Sequence, residues 1–271
     1  MTTDTAQTLA GKVAIVLGAA GKDNMGQVIA RKLASEGAKL VVAGRDPSRF
    51  TEFAADIGAT AFGCDITHKA QVDALVRHAL DTHGRVDIGV NATGWGLLRP
   101  FLDNSSEDLD QMAAIQFKGP FQYFQALVAA MSEGGSIIQI SSATATIMLD
   151  HHAAYMGTKA GIDHVIRCIA NEFGRQGIRA NSVSPGVTAT PMAGDSLAYP
   201  PVLEAFTKEY PLGRIGTSQD IAEAVAWIAS DRCFMTGQNF QVNGGLTLRR
   251  NPTGEELFSV MPPEAIAHLT S

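Results

Sequence analysis

Cysteine is scarce in this chain. Its three residues, Cys64, Cys168 and Cys233, are scattered and include no CxxC pair. Such a set builds neither a disulfide framework nor a structural zinc site, and free thiols suit a reducing cytoplasm. Positive charge is short as well, with 21 Lys and Arg against 27 Asp and Glu and a net charge of −6. That balance argues against a nucleic-acid or anionic-membrane partner, since both need a basic surface, although one local cation can still hold a phosphate. The histidines form no ligand-like cluster with carboxylates or cysteines, so no metal is expected. No apolar run reaches the roughly 18 residues that read as a membrane span. Residues 1–10 lack the charged-then-apolar order of a signal peptide. The chain therefore reads as cytoplasmic and globular, and its 45% hydrophobic content supplies a core.

Short apolar runs recur: Lys12–Leu17, Lys39–Ala43, Thr60–Cys64, Val86–Val90, Ser136–Ile140, Ile178–Val183 and Asn239–Val242. Most are β-branched and lack polar alternation, as in strands covered by helices on both faces. Helix-period stretches separate them: Gly26–Gly37, Ala70–His83, Glu107–Met131, His152–Gly174 and Gln219–Ser230. Alternating β and α elements imply parallel strands with right-handed crossovers. The expected fold is α/β, a single doubly wound Rossmann domain over residues 1–271, with about seven parallel strands and helices on both faces. Two proline-bearing segments break the pattern. Residues 190–212 read as a substrate lid, and residues 246–271 as a surface tail after the last strand.

Strand one runs into Gly18-Ala-Ala-Gly21-Lys-Asp-Asn24-Met25-Gly26, and a helix follows. Glycines in that position let backbone N–H groups approach a pyrophosphate, and the helix N-terminus adds its positive end. Strand two ends Val42-Ala43-Gly44-Arg45-Asp46. Gly44 leaves no acid at the usual place for a ribose 2′-hydroxyl, and Arg45 offers a fork for a 2′-phosphate. NADP(H) is therefore the expected cofactor, with NAD(H) kept open by Asp46. Lys22 is a further cation in the loop.

In the helical stretch His152–Gly174, Tyr155 and Lys159 are four residues apart and share a face. An ammonium beside a phenol favours the phenolate, so this pair can exchange a proton with a carbonyl oxygen. Ser141 and Ser142 follow the Ser136–Ile140 strand, at the C-terminal edge where doubly wound folds bind ligands. Asn91-Ala-Thr93-Gly94 and Pro185-Gly186 close two more strands at that edge.

With these pieces in order, the chain up to Gly245 resembles the short-chain dehydrogenase/reductase family. The resemblance rests on the glycine loop, Cys64-Asp65, Asn91-Ala-Thr-Gly94, Ser142, Tyr155-Met-Gly-Thr-Lys159, Asn181-Ser-Val-Ser-Pro-Gly186 and Val242-Asn-Gly-Gly245. It implies an oxidoreductase that moves a hydride between the cofactor and a carbonyl or alcohol carbon, with Tyr155 as general acid/base. Ser142 would orient the substrate oxygen, and Lys159 would lower the tyrosine pKa and hold the ribose. Asp65 would meet the adenine amine, with Ile66 beside it among the cofactor contacts. Asn91 and Gly94 would shape the cleft, and Thr188 and Thr190 would touch the carboxamide or phosphates. A homotetramer built through the long helices and last strand would follow from the same resemblance.

The chain departs from the family at three places. Gly18 and Gly26 are eight apart where six is usual, and Asn24 stands for the middle glycine. A stretched loop is similar to that of the superfamily's enoyl-thioester reductases, but those space tyrosine and lysine more widely. Gln116 occupies the place of an asparagine that anchors a proton-relay water, and is expected to do its work with one more methylene. Thr93 replaces a common alanine. Trp95–Phe101, Ile147–Leu149, Met192, Leu197 and Tyr199 suggest an apolar substrate. His151 and His152, a pair near a helix start capped by Asp150, read first as structural, with substrate contact as the alternative. A non-catalytic dinucleotide-binding regulator, an enoyl reductase and a redox-neutral lyase or epimerase remain the alternative functions.

Overall fold

The architecture comes from a computed structural model that describes residues 7–190, Leu197 and 199–262. The first half alternates β1 (Val13–Leu17), α1 (Met25–Ser35), β2 (Lys39–Gly44), α2 (Thr51–Asp56), β3 (Thr60–Gly63), α3 (Lys69–His83) and β4 (Ile88–Asn91). It continues through α4 (Ser106–Ala113), α5 (Gly119–Ala130), β5 (Gly135–Ile140), α6 (Ala153–Phe173) and β6 (Ile178–Pro185). β7 (Thr188–Ala189), α7 (Pro200–Thr207), β8 (Gly216–Thr217), α8 (Ser218–Ala229), β9 (Asn239–Val242) and α9 (Gly254–Phe258) complete it.

Seven strands form one parallel sheet in the order β3-β2-β1-β4-β5-β6-β9. The order reverses between β1 and β4, and a doubly wound sheet opens its ligand crevice at that switch point. Alternation along β1 shows why its run is apolar throughout. Ala14 and Val16 pack with α1 and α8 on one face, while Ile15 and Leu17 pack with α3, α5 and α6 on the other. Fully burying residues such as Ile29 and Leu33 of α1 stabilises the fold by about 1.5–3 kcal/mol each.

Three features differ from the sequence reading. The helix expected over Glu107–Met131 is one rod broken by a π turn at Ala114–Lys118, between α4 and α5. A small second sheet, β7 with β8, brackets the 190–212 insertion. The segment after Gly245, expected as a surface tail, is docked as far as it is described. Leu246, Leu257, Phe258 and Met261 join Val202, Phe206 and Tyr210 in a third apolar cluster. Asp150 Oδ2 accepts a 2.7 Å bond from the Gly254 N–H, and Asn251 donates to the Met148 carbonyl. No helix among the described residues is long and apolar enough to cross a membrane.

The sheet and α5 mesh tightly at Gly89 of β4. A Cβ there would lie 2.2 Å from Leu127 Cδ1 and 3.0 Å from its Cγ. Leu127 is fully buried and has nowhere to retreat. Gly89→Ala is therefore expected to lower stability by about 1–3 kcal/mol, read as a shift in the urea midpoint at unchanged slope.

Candidate active site

The glycine loop runs from β1 to α1 at the switch point. Gly18 has φ +114°, and a Cβ on it would stand 2.6 Å from the Ala92 carbonyl carbon. A Cβ on Gly26 would stand 2.4 Å from the Gly18 oxygen. Only glycine fits either place, and the bare backbone leaves a cradle at the head of α1. Asn24 is the N-cap of that helix. Its Oδ1 accepts from the Gln27 N–H at 2.9 Å, and its Nδ2 donates to the Gly18 carbonyl at 2.9 Å. The side chain that replaces the family's middle glycine thus ties the longer loop to itself, while Met25 packs toward the core.

A cleft of about 710 Å³ opens beside this loop. Gly18, Gly21, Asn24, Arg45, Asp65, Ile66 and Gly94 line it, together with Arg49, Thr67 and Trp95. Asp46 is occupied elsewhere: its Oδ1 accepts from the Ser48 N–H and hydroxyl at 3.1 and 2.6 Å, capping a short turn. Asp65 is held similarly by Thr67. Asn91 is fully buried, donating to Gln139 and accepting from the Thr93 hydroxyl and N–H, so it shapes the rim from below. The residue that departs from the family's alanine, Thr93, is therefore a strut of that loop.

Ser142, Tyr155 and Lys159 lie together where β5 gives way to α6, with the lysine beside Gly94 of the cleft. The Ser142 hydroxyl bonds Thr144 Oγ1 at 2.8 Å and lies against the phenol of Tyr155. Lys159 Nζ sits 5.5 Å from the Tyr155 ring centre and donates to the Ile140 carbonyl at 2.8 Å. Burial dominates both titrations. It raises the Tyr155 phenol to about 12 and lowers the Lys159 ammonium to about 8. The phenol was expected to be lowered by the ammonium. In this arrangement desolvation dominates, opposed by the Ser142 bond, and the cation is turned toward a carbonyl.

Beneath the lysine lies a group that the sequence reading did not single out, Asp163. It is buried four residues along α6, accepting from Ser141 Oγ at 2.8 Å and Asn239 Nδ2 at 2.5 Å. Its signal was present in the spacing Lys159-x-x-x-Asp163. Arg49, four after Arg45, was missed in the same way.

Gln116 falls inside the π turn. Its Nε2 donates to Met112 Sδ and to Thr158 Oγ1, while Oε1 is buried with no partner among the described residues. A Cβ on Gly94 would be 3.3 Å from that oxygen and 4.0 Å from Lys159 Nζ. The orphaned acceptor and the ammonium therefore face one spot beside the Gly94 backbone. π turns of this kind concentrate at functional sites because they re-aim a side chain.

Farther out, Pro185 closes β6 and Gly186 packs against Tyr210, whose hydroxyl would be 2.3 Å from a Cβ there. Thr188 Oγ1 donates back to the Gly186 carbonyl at 3.0 Å, so its hydroxyl braces the turn, and Thr190 follows β7. Of the residues expected to meet substrate, Phe101, Met148, Leu149, His151 and His152 line a second cavity of about 660 Å³. Ile147, Leu197 and Tyr199 pack in the third cluster instead, and Met192 lies outside the described residues.

A family model described as enoyl-(acyl carrier protein) reductase matches residues 18–247. D-threitol dehydrogenase of Mycolicibacterium smegmatis is 34% identical over 249 residues, covering 89% of this chain and 95% of that one. The chain belongs to the short-chain dehydrogenase/reductase family. This short-chain dehydrogenase/reductase is also 31% identical to 3beta-hydroxysteroid dehydrogenase 1 of Eggerthella lenta, with 89% and 95% of the two chains covered. Among solved structures, a short-chain type dehydrogenase/reductase from Mycobacterium ulcerans matches with a TM-score of 0.88 at 25% identity, over 97% of this chain and 99% of that one. A dehydrogenase/reductase from Sinorhizobium meliloti 1021 matches at 0.82 and 28%, over 89% and 97%. The protein is thus an oxidoreductase of a family that works with nicotinamide dinucleotides.

Proposed function

We propose that this enzyme reduces a carbonyl, or oxidises the matching alcohol, with Tyr155 as the proton donor and acceptor. The observation that carries the reading is the grouping of Ser142, Tyr155 and Lys159, with the Lys159 ammonium beside Gly94 of the glycine-lined cleft. The cleft fits a dinucleotide, because the glycines keep backbone where any side chain would intrude and a helix N-terminus stands behind them. Bound there, the nicotinamide supplies or receives the hydride. The Ser142 hydroxyl holds the substrate oxygen. The Tyr155 phenol, with a pKa raised to about 12 by burial, keeps its proton at neutral pH and gives it to that oxygen. Lys159, lowered to about 8, is still mainly a cation at pH 7 and favours return of the proton through the phenolate.

Several observations support the finer points. The Tyr155–Lys159 spacing of four differs from the wider spacing of enoyl-thioester reductases, and relatives named for a threitol and a steroid support alcohol chemistry. NADP(H) is favoured by Arg45 and Arg49 at the cleft, and by Asp46 being spent on its cap. A largely apolar substrate is supported by the walls of the outer cavity, among them Phe101, Leu149, Met156 and Phe258. The three free cysteines support a reducing cytoplasm. Exposed Phe117, Phe121, Trp227 and Phe234 support assembly into a homotetramer, which the mass in solution reads directly.

The decisive experiment follows reduced-nicotinamide absorbance with a panel of ketones, aldehydes and alcohols. Tyr155→Phe is expected to lower kcat by about a thousandfold while leaving cofactor affinity unchanged; retained turnover would sink the acid/base assignment. Arg45→Ala is expected to raise the Kd for NADPH about tenfold or more and to leave that for NADH within twofold; equal effects would remove the 2′-phosphate argument. Gln116 is read as the anchor of a proton-relay water, on the strength of its unpartnered Oε1 beside Lys159. Gln116→Ala should cost about tenfold to a hundredfold in kcat and Gln116→Asn should recover part of it, whereas unchanged turnover would end that reading.

A further inference from the structure

His152 stands where α6 begins, three residues before Tyr155, and its surroundings fix its chemistry. Its Nδ1 lies 2.7 Å from the Leu97 carbonyl oxygen. A carbonyl only accepts, so Nδ1 carries the proton and donates it. Burial disfavours the charged ring more than the Leu97 bond favours it, so the imidazole is held neutral. In that tautomer Nε2 is a bare acceptor, and it has no hydrogen-bond partner among the described residues. The ring is also clamped: it stacks on the Tyr155 ring with centroids 4.3 Å apart and planes 26° apart. His152 lines the outer cavity, whose walls otherwise offer mainly Phe101, Met148, Leu149, Met156 and Phe258.

An acceptor on a ring stacked against the catalytic phenol has a narrow range of partners. A bare carbonyl oxygen offers it nothing, because neither atom carries a proton. A hydroxyl does. Because the imidazole is stacked on the phenol that serves the reacting oxygen, a hydroxyl close to the reacting carbon falls within reach of this acceptor. The other ionisable groups of the cavity are Asp103, Asp150, His151 and Glu255. Asp150 is engaged with the Gly254 N–H, and His151, held at φ +60°, stacks on Phe258 at 5.8 Å.

We propose that His152 is a specificity residue whose Nε2 accepts a hydrogen bond from a hydroxyl on the carbon next to the reacting one. The preferred substrates are then α-hydroxy ketones with an apolar body, and the vicinal diols they form on reduction. This rests on the reading of Tyr155 as the acid/base. A site built to hold a hydroxyl discriminates strongly against the analogue that lacks it, because a buried polar atom is then left unpaired.

The test compares 2-hydroxyacetophenone with acetophenone as substrates of the purified full-length protein, with reduced cofactor. Wild type is expected to favour the hydroxy ketone about a hundredfold in kcat/KM. His152→Phe keeps a ring to stack but has no acceptor. Its loss on the hydroxy ketone is expected to exceed its loss on acetophenone by at least tenfold, with cofactor binding unchanged. His152→Gln, whose amide can donate to Leu97 and present an oxygen, is expected to keep part of the preference. Equal losses on both ketones, no preference in wild type, or turnover of other ketones but of neither member of the pair would each overturn the inference. Failure with every carbonyl and alcohol offered, despite cofactor binding, would instead overturn the acid/base reading and this inference with it.

Discussion

A lysine taken almost wholly out of water is the constraint around which this site is built. Burying an ammonium costs several kcal/mol unless its surroundings compensate, and Lys159 is only 3% exposed. The compensation comes from two elements. The end of β5 supplies the Ile140 carbonyl and α6 supplies Asp163 one turn along, while the π turn leaves the unpartnered Gln116 oxygen facing the same spot beside Gly94. Asp163 is itself steadied by Ser141 and by Asn239 of β9. The cation therefore joins helix, central strand and edge strand into one polar knot. Its geometry fixes Tyr155 on the same helical face, and the phenol inherits its position from the fold.

The glycine loop meets its own constraint by a different route. Two extra residues between Gly18 and Gly26 would normally loosen a phosphate cradle. Asn24 closes the slack with one bond back to Gly18 and one forward to Gln27, and Gln27 Nε2 adds a bond to the Ala19 carbonyl. The loop thus reaches the head of α1 with its backbone groups already ordered, which spares part of the entropy that ligand binding would otherwise cost.

Much of this was legible in the amino-acid sequence. The seven strands announce themselves because a strand covered on both faces must be apolar at every position, as β1 is. Tyr155 and Lys159 are readable from helical spacing, and Ser142 from its place after β5. The π turn was hidden, since Gln116 and Phe117 look like ordinary helix positions and the inserted bulge leaves no mark in the period. Asp163 was hidden because a carboxylate on a helix is usually solvated, and only the tertiary fold shows that Ser141 and Asn239 close over it. The docking of α9 was hidden because its partners, Asp150 and Met148, lie about a hundred residues away and no local pattern encodes such a contact.

That last contact gives the molecule two thermodynamic scales. The sheet and its two flanking cores form the large cooperative body, whereas α7, α9 and Tyr210 share a small cluster of their own. A patch of that size separates from the rest at a lower free energy than global unfolding demands. Phe258 belongs both to this cluster and to the wall of the outer cavity, so part of that wall sits on the smaller of the two scales.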